Sequence, residues 1–120
     1  MSLGIVIQDR NTVFRESLAN IIRQRNGKID ISPICCKLEL HTMNLKPISL
    51  LILEINHFST ESLMLIHNLT TAFSDLKIVI STFLEDNIYH EAMLNSGAKC
   101  VFSKYDMNID CLMKMLKHPV

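Results

Sequence analysis

At 120 residues, with 48% hydrophobic and 20% charged residues, the chain has the length and composition of one globular domain with a sizeable core, which excludes a disordered or disulfide-stapled class. Twelve Lys and Arg balance twelve Asp and Glu with no basic run, so this chain alone carries no electrostatic footprint for nucleic acid. No apolar run is long enough to span a bilayer and no signal peptide is recognisable, so a cytoplasmic protein without a membrane role is expected.

Residues 3–8, Leu-Gly-Ile-Val-Ile-Gln, set three β-branched residues in a row and predict a strand buried on both faces. Asp9, Arg10 and Asn11 close it as a loop. From Thr12 the spacing turns helical, with Phe14, Leu18, Ile21, Ile22 and Arg25 at helical intervals, Asn11 or Thr12 as cap and Asn26-Gly27 as stop. Residues 1–28 hold five cations against Asp9 and Glu16, which reads as a solvated basic face. Residues 31–36 predict a second strand, placed at a sheet edge because Pro33 removes a ladder donor. Residues 37–45, with Leu38, Leu40 and Met43, predict a short helix ahead of Pro47.

Residues 49–54, Ser-Leu-Leu-Ile-Leu-Glu, carry four apolar residues without alternation, the mark of a central strand in a parallel sheet, and Glu54 stands at its carboxyl end. A loop of Ile55, Asn56, His57 and Phe58 leads to a helix over 60–73, capped by Ser59 or Thr60, with Leu63, Ile66, Leu69 and Phe73 inward. Residues 77–81 predict a fourth strand ending in Thr82, and Asp86 caps a helix through Ser96 that Gly97 ends. Cys100, Val101 and Phe102 make a short fifth strand; Ser103 and Lys104 then lead to Asp106, the expected cap of a last helix burying Ile109, Leu112, Met113 and Leu116. Met107, Met113 and Met115 read as core filling.

Strand and helix alternate five times, which predicts a single domain over 1–120 with a flavodoxin-like (βα)5 doubly wound fold: a five-stranded parallel sheet with helices on both faces. In such sheets ligands bind at the carboxyl ends of the strands. Asp9, Arg10, Glu54, Thr82 and Lys104 all fall there. The four cysteines form no C-x-x-C pair and read as reduced, buried thiols, and His57 with Cys35 or Cys36 fits no metal spacing.

That constellation resembles the receiver domain of two-component response regulators over the whole chain. Residues 5–18, Ile-Val-Ile-Gln-Asp-Arg-Asn-Thr-Val-Phe-Arg-Glu-Ser-Leu, look like the family's first strand, acidic pair and first helix, and Phe14-Arg15-Glu16 is similar to its DNA-binding LuxR/NarL-type members. Residues 49–63 follow the pattern of a strand that ends at the phosphorylated aspartate and continues through Asn-x-Pro, with Asn56 in the pocket loop. Residues 97–104, Gly-Ala-Lys-Cys-Val-Phe-Ser-Lys, match the Gly-Ala run leading to the lysine of strand five. The resemblance implies that Glu54 holds the phosphoacceptor position, Asp9 and Arg10 the acidic pocket, and Thr82, Val101 and Lys104 the switch and phosphate-sensing positions.

The departures from the pattern act together. Arg10 stands where the second acid belongs, Glu54 where the aspartate belongs, Phe58 replaces the proline and Val101 the switch aromatic. Magnesium needs several hard oxygen ligands at about 2.0 to 2.1 Å, and a guanidinium removes one while adding a repelling charge. An extra methylene at Glu54 spoils an attack geometry in which a misplacement of about 1 Å costs on the order of a hundredfold. Arg10 is expected to pair with Asp9 or Glu54 and occupy the ion's space, and Glu54 to hydrogen-bond toward Thr82 and Lys104.

The expected protein is therefore a divergent pseudo-receiver without enzymatic activity, cofactor or metal (Asp9 and Glu54 being the ligands if there is one), and phosphorylation-independent. It would be the regulatory and dimerisation module of a transcription regulator, as a homodimer or a heterodimer with another response regulator. DNA would be reached only through a C-terminal helix-turn-helix absent from these 120 residues, as in a truncated regulator. The alternatives are a conventional magnesium-dependent phosphoacceptor and a stand-alone interaction module working through the last two helices.

Overall fold

In the computed structural model, which describes residues 4–117, the apolar runs form five parallel strands, β1 (Gly4–Gln8), β2 (Asp30–Ile34), β3 (Leu50–Glu54), β4 (Lys77–Thr82) and β5 (Cys100–Ser103), in the order β2-β1-β3-β4-β5. Every residue of β1 and β3 is buried, as their unbroken apolar runs require of central strands. Pro33 lies in β2, at the edge, where its missing N–H costs no ladder bond to a further strand.

Helices α1 (Thr12–Arg25), α2 (Thr60–Ala72), α3 (Asn87–Asn95) and α4 (Ile109–Lys117) cover both faces. Side-chain alternation along the strands sends Ile5, Ile7, Leu50, Ile52 and Val79 to the face closed by α1 and α4, with Leu18, Ile22 and Leu112. Val6, Leu51, Leu53, Ile78 and Ile80 go to the other face, with Ile66 of α2 and Met93 of α3. The methionines of the last turn and helix pack against the first face, as expected of core filling.

Three caps form as the sequence predicts: Asn11 accepts from the Phe14 amide, Ser59 from Ser62 and Asp86 from Ile88, at 3.0 to 3.1 Å. The fourth differs. Asn108 accepts from the Cys111 amide and α4 starts at Ile109, while Asp106 donates its amide to Ser103 in the preceding turn. Ile21 is also exposed rather than inward: Leu18 and Ile22, four residues apart, set the apolar stripe of α1, and Ile21 falls off its edge.

The predicted helix over 37–45 is a 3₁₀ segment, Lys37–His41, leaving four α-helices among the described residues. Leu40 and Leu45 are both in the core, and a continuous α-helix would set them about 140° apart, so the chain must leave helical geometry between them. Because β2 ends at Ile34, Cys35 and Cys36 emerge exposed, their amides donating to the Glu39 carboxylate, and Cys100 and Cys111 are half-buried. The four thiols are free, but the expectation of burial is corrected. Gly97, at φ 128°, ends α3 where only glycine fits, since a Cβ there would stand 2.7 Å from Thr70 Oγ1. Leu3 and the side chain of Leu116, expected in the first strand and the core, lie outside the described residues, as do residues 118–120. Among the described residues no helix is long and apolar enough to cross a membrane.

Candidate functional site at the carboxyl edge of the sheet

Backbone pairing carries the site residues one step beyond the strands. The Asp9 amide donates to Ile34 O at 3.1 Å, and the Lys104 amide to Thr82 O at 2.8 Å. Counting by twos from Ile7, Ile52 and Phe102 puts Asp9, Glu54 and Lys104 in step with the face covered by α1 and α4. They meet there: Lys104 Nζ is 2.7 Å from Asp9 Oδ2 and 2.6 Å from Glu54 Oε2. The lysine side chain is 3% exposed and lies between the rings of Phe14 and Phe83, 4.7 and 4.9 Å from their centroids. The ammonium thus has two carboxylates and two aromatic faces for a first shell.

The remaining carboxylate oxygens are also occupied. Asp9 Oδ1 accepts from the Asn11 amide at 2.8 Å, Glu54 Oε1 from the Arg10 amide at 3.2 Å, and Glu54 Oε2 additionally from Asn56 Nδ2 at 2.9 Å. Asp9 Oδ2 has no well-aligned hydrogen bond and is compensated by the charge of Lys104 alone. Asn56 Oδ1 accepts from the Phe83 amide at 2.7 Å, so one side chain ties the loop after β3 to the loop after β4.

Beneath this layer the buried Gln8 donates to Cys35 O at 2.8 Å and accepts from the Glu54 amide at 3.2 Å, binding the ends of β1, β2 and β3 together. Gln8 and Phe83 are members of this network that strand and helix periodicity alone passes over, while Phe14, marked by helical spacing, lies against Lys104. A polar last residue in an otherwise apolar buried strand is the signal that marks Gln8.

The two acids titrate differently. Burial pushes the Asp9 carboxyl up and, with Glu54 beside it, outweighs Lys104 and the Asn11 amide, so its pKa is raised above 3.8. Burial acts on Glu54 in the same sense, but the hydrogen bonds from Lys104 and the Arg10 amide overcome it and its pKa is lowered below 4.5. ¹³C carboxyl titration should find the Asp9 midpoint above its ordinary 3.8 and that of Glu54 below its ordinary 4.5. A raised Glu54 with a lowered Asp9 would show that the ammonium favours Asp9 instead. Below its raised pKa Asp9 binds a proton that the unfolded chain lacks down to 3.8, so its contribution to stability grows as pH falls through that window. Glu54 contributes in the opposite sense: its stabilisation is full above 4.5 and is lost as pH falls through its lower folded value.

The structure corrects the expected occupant of the pocket. Arg10 is exposed and, among the described residues, its guanidinium pairs with neither Asp9 nor Glu54; Lys104 takes that place. Lys104 arrives along a strand from beneath, whereas Arg10 is the first residue of a loop whose backbone already faces Glu54. Thr82 is buried, but its hydroxyl accepts from the Leu84 amide at 3.0 Å rather than meeting Glu54. Its alternation is that of Ile78 and Ile80, toward the other face. Val101 pairs with Ile80 and packs half-buried on that same face. Phe58 stacks on Tyr89 of α3, ring centroids 4.7 Å apart.

Above the cluster opens a mouth of about 530 Å³, bounded by Arg10, Asn11, Lys37, Asn56 and Phe83. Sheet order and the two helical faces are those of the receiver domains of response regulators, and that is the fold of the chain. No family model and no curated protein matches the sequence. Solved structures do match. A Burkholderia pseudomallei protein described as pilus assembly-related is 15% identical at a TM-score of 0.80, over 98% of this chain and 88% of that one. The Salmonella typhimurium response regulator RcsB, in a study of DNA interaction, is 13% identical at 0.79, over 97% of this chain but only 60% of RcsB. A Burkholderia pseudomallei response regulator carrying a phosphorylated aspartic acid, calcium and citrate is 19% identical at 0.79, over 98% and 68%.

Proposed function

We propose that this domain is an atypical receiver that signals without phosphorylation, as the regulatory and dimerisation module of a cytoplasmic transcription regulator. The observation that carries the reading is the engagement of the acids: each of the four carboxylate oxygens of Asp9 and Glu54 has a protein partner, two of them the buried Lys104 ammonium. Magnesium, which the fold class implies, does not fit this donor set. Two engaged carboxylates beside Arg10 fall short of the hard oxygen ligands the ion requires. An attacking oxygen needs a free lone pair directed at the donor: Glu54 Oε2 holds both Lys104 and Asn56, which leaves Oε1, held by the Arg10 amide on a side chain one methylene longer than aspartate. With Val101 in place of an aromatic and the Thr82 hydroxyl accepting from the Leu84 amide, neither of these two positions is poised to report a phosphoryl group. We therefore favour an inert, lysine-locked pocket over one fixed in an active-like state.

Support for an output function comes from the Phe14-Arg15-Glu16 segment and from the RcsB likeness, in which a DNA-interacting protein extends well beyond the matched domain. Incubation with magnesium and acetyl phosphate should leave the intact mass unchanged, and sedimentation should show self-association that neither reagent alters. A phosphoryl adduct that disappears in Glu54→Gln would establish the conventional phosphoacceptor instead. A strict monomer at high concentration would remove homodimerisation from the reading.

A further inference from the structure

The shortened crossover between β2 and β3 leaves space that an α-helix would fill. A cleft of about 560 Å³ lies between the 3₁₀ segment and the start of α2. It joins the mouth above Glu54, since Arg10, Lys37, Asn56 and His57 line both. Four groups able to carry positive charge line the cleft, Arg10, Lys37, His41 and His57, against one acid, Glu61, exposed in the first turn of α2.

Among the described residues neither Arg10 nor Lys37 forms an ion pair, because the two nearby acids are held by Lys104. Lys37 is half-buried, and burial pushes its ammonium down; Glu54 pulls the other way and does not cancel the effect, while Arg10 adds to it. An ammonium withdrawn from water with its charge under-compensated is stabilised by an incoming anion. The cleft also offers apolar surface, from Ile55, Met64 and Leu65. Its volume is that of a small-molecule site and far exceeds a bare inorganic anion.

We propose that this cleft binds a small organic phosphomonoester, its phosphate held by Arg10 and Lys37 and its apolar body against Ile55, Met64 and Leu65. Two cations lining one cleft match a dianion, and the planar guanidinium pairs with phosphate through two parallel hydrogen bonds. Glu54 does not line this cleft, so the site stands whether or not Glu54 accepts a phosphoryl group. It is nonetheless linked to the acid cluster, because the Arg10 amide holds Glu54 Oε1. Occupation of the cleft therefore acts one residue away from the Lys104 lock.

Phenyl phosphate is a suitable probe, titrated into the ¹⁵N-labelled chain with inorganic phosphate, benzoate and phenol in parallel. Saturable shifts are expected at Lys37, His41, Asn56 and His57, with each of the three comparison compounds bound more weakly. Lys37→Met, and independently Arg10→Gln at an exposed position, should each weaken phenyl phosphate by about tenfold or more, with the Lys46→Met control unchanged. Shifts that do not saturate, that map elsewhere, or that survive both substitutions would overturn the site. Inorganic phosphate binding as tightly as phenyl phosphate would overturn the apolar contact, and benzoate doing so would overturn the assignment to a phosphate.

Discussion

Lys104→Met should destabilise the domain by about 3 kcal/mol at pH 7 and lower its melting temperature by about 10 °C. Methionine keeps an apolar stem of similar length but removes the ammonium that Asp9 and Glu54 share and that lies over Phe14 and Phe83. Two carboxylates, 1% and 9% exposed, would then face each other with only amide donors. Breaking a buried pair typically costs about 3 to 5 kcal/mol, and the low end applies because water reaches the mouth above Glu54. Against a total stability of about 5 to 15 kcal/mol this is a large fraction.

The pH dependence separates this cause from simple loss of packing. Lys104 lowers the pKa of both acids, so without it Asp9 rises further above its unfolded value and Glu54 loses the main interaction that holds it below its own. Folded acids with raised pKa values bind protons that the unfolded chain does not, and stability then increases as pH falls toward that range. Thermal melts should therefore show Lys104→Met recovering part of its loss between pH 7 and pH 5. A loss below about 1 kcal/mol at both pH values would mean that the acids are solvated and the lock is absent.

Where the sequence was read correctly, local chemistry and tertiary demand agreed. The unbroken apolar runs of β1 and β3 are buried on both faces, Pro33 marks an edge, and Asn11, Ser59 and Asp86 cap as their types dictate. The placing of Asp9, Glu54 and Lys104 at one sheet edge, and the contact of Glu54 with Lys104, are also legible, because strand ends fix them; the pairing of Asp9 with Lys104 is not. Where the reading failed, the deciding fact was long-range. The burial of both Leu40 and Leu45 against the sheet overrode a plausible short helix. Which of two cations fills the acid pocket turned on direction of approach, a property of β5 and of the loop after β1 that neither Arg10 nor Lys104 carries in its own neighbourhood of sequence. Gln8 escaped for a similar reason, since its two partners lie 27 and 46 residues away.

The same geometry says what would reopen the site. Arg10→Asp combined with Glu54→Asp should give saturable magnesium binding with a dissociation constant on the order of 1 mM, where the natural chain shows none in the same titration. Shortening residue 54 by one methylene draws its carboxylate back from Lys104 Nζ, now 2.6 Å away, and weakens the contact that saturates it. Arg10 is exposed and unpaired among the described residues, so replacing it sacrifices no ion pair, adds a third carboxylate beside Asp9, and removes a repelling cation. Each single change should do much less: Arg10→Asp alone leaves the lock closed, and Glu54→Asp alone leaves the guanidinium at the entrance. Amide shifts at Asn56 and Lys104 under magnesium titration report the outcome directly. A double variant as indifferent to magnesium as the natural chain would show that the acid set is not what closes the site. The loop that Phe58 anchors on Tyr89 would then be the element that holds the remaining oxygens out of reach.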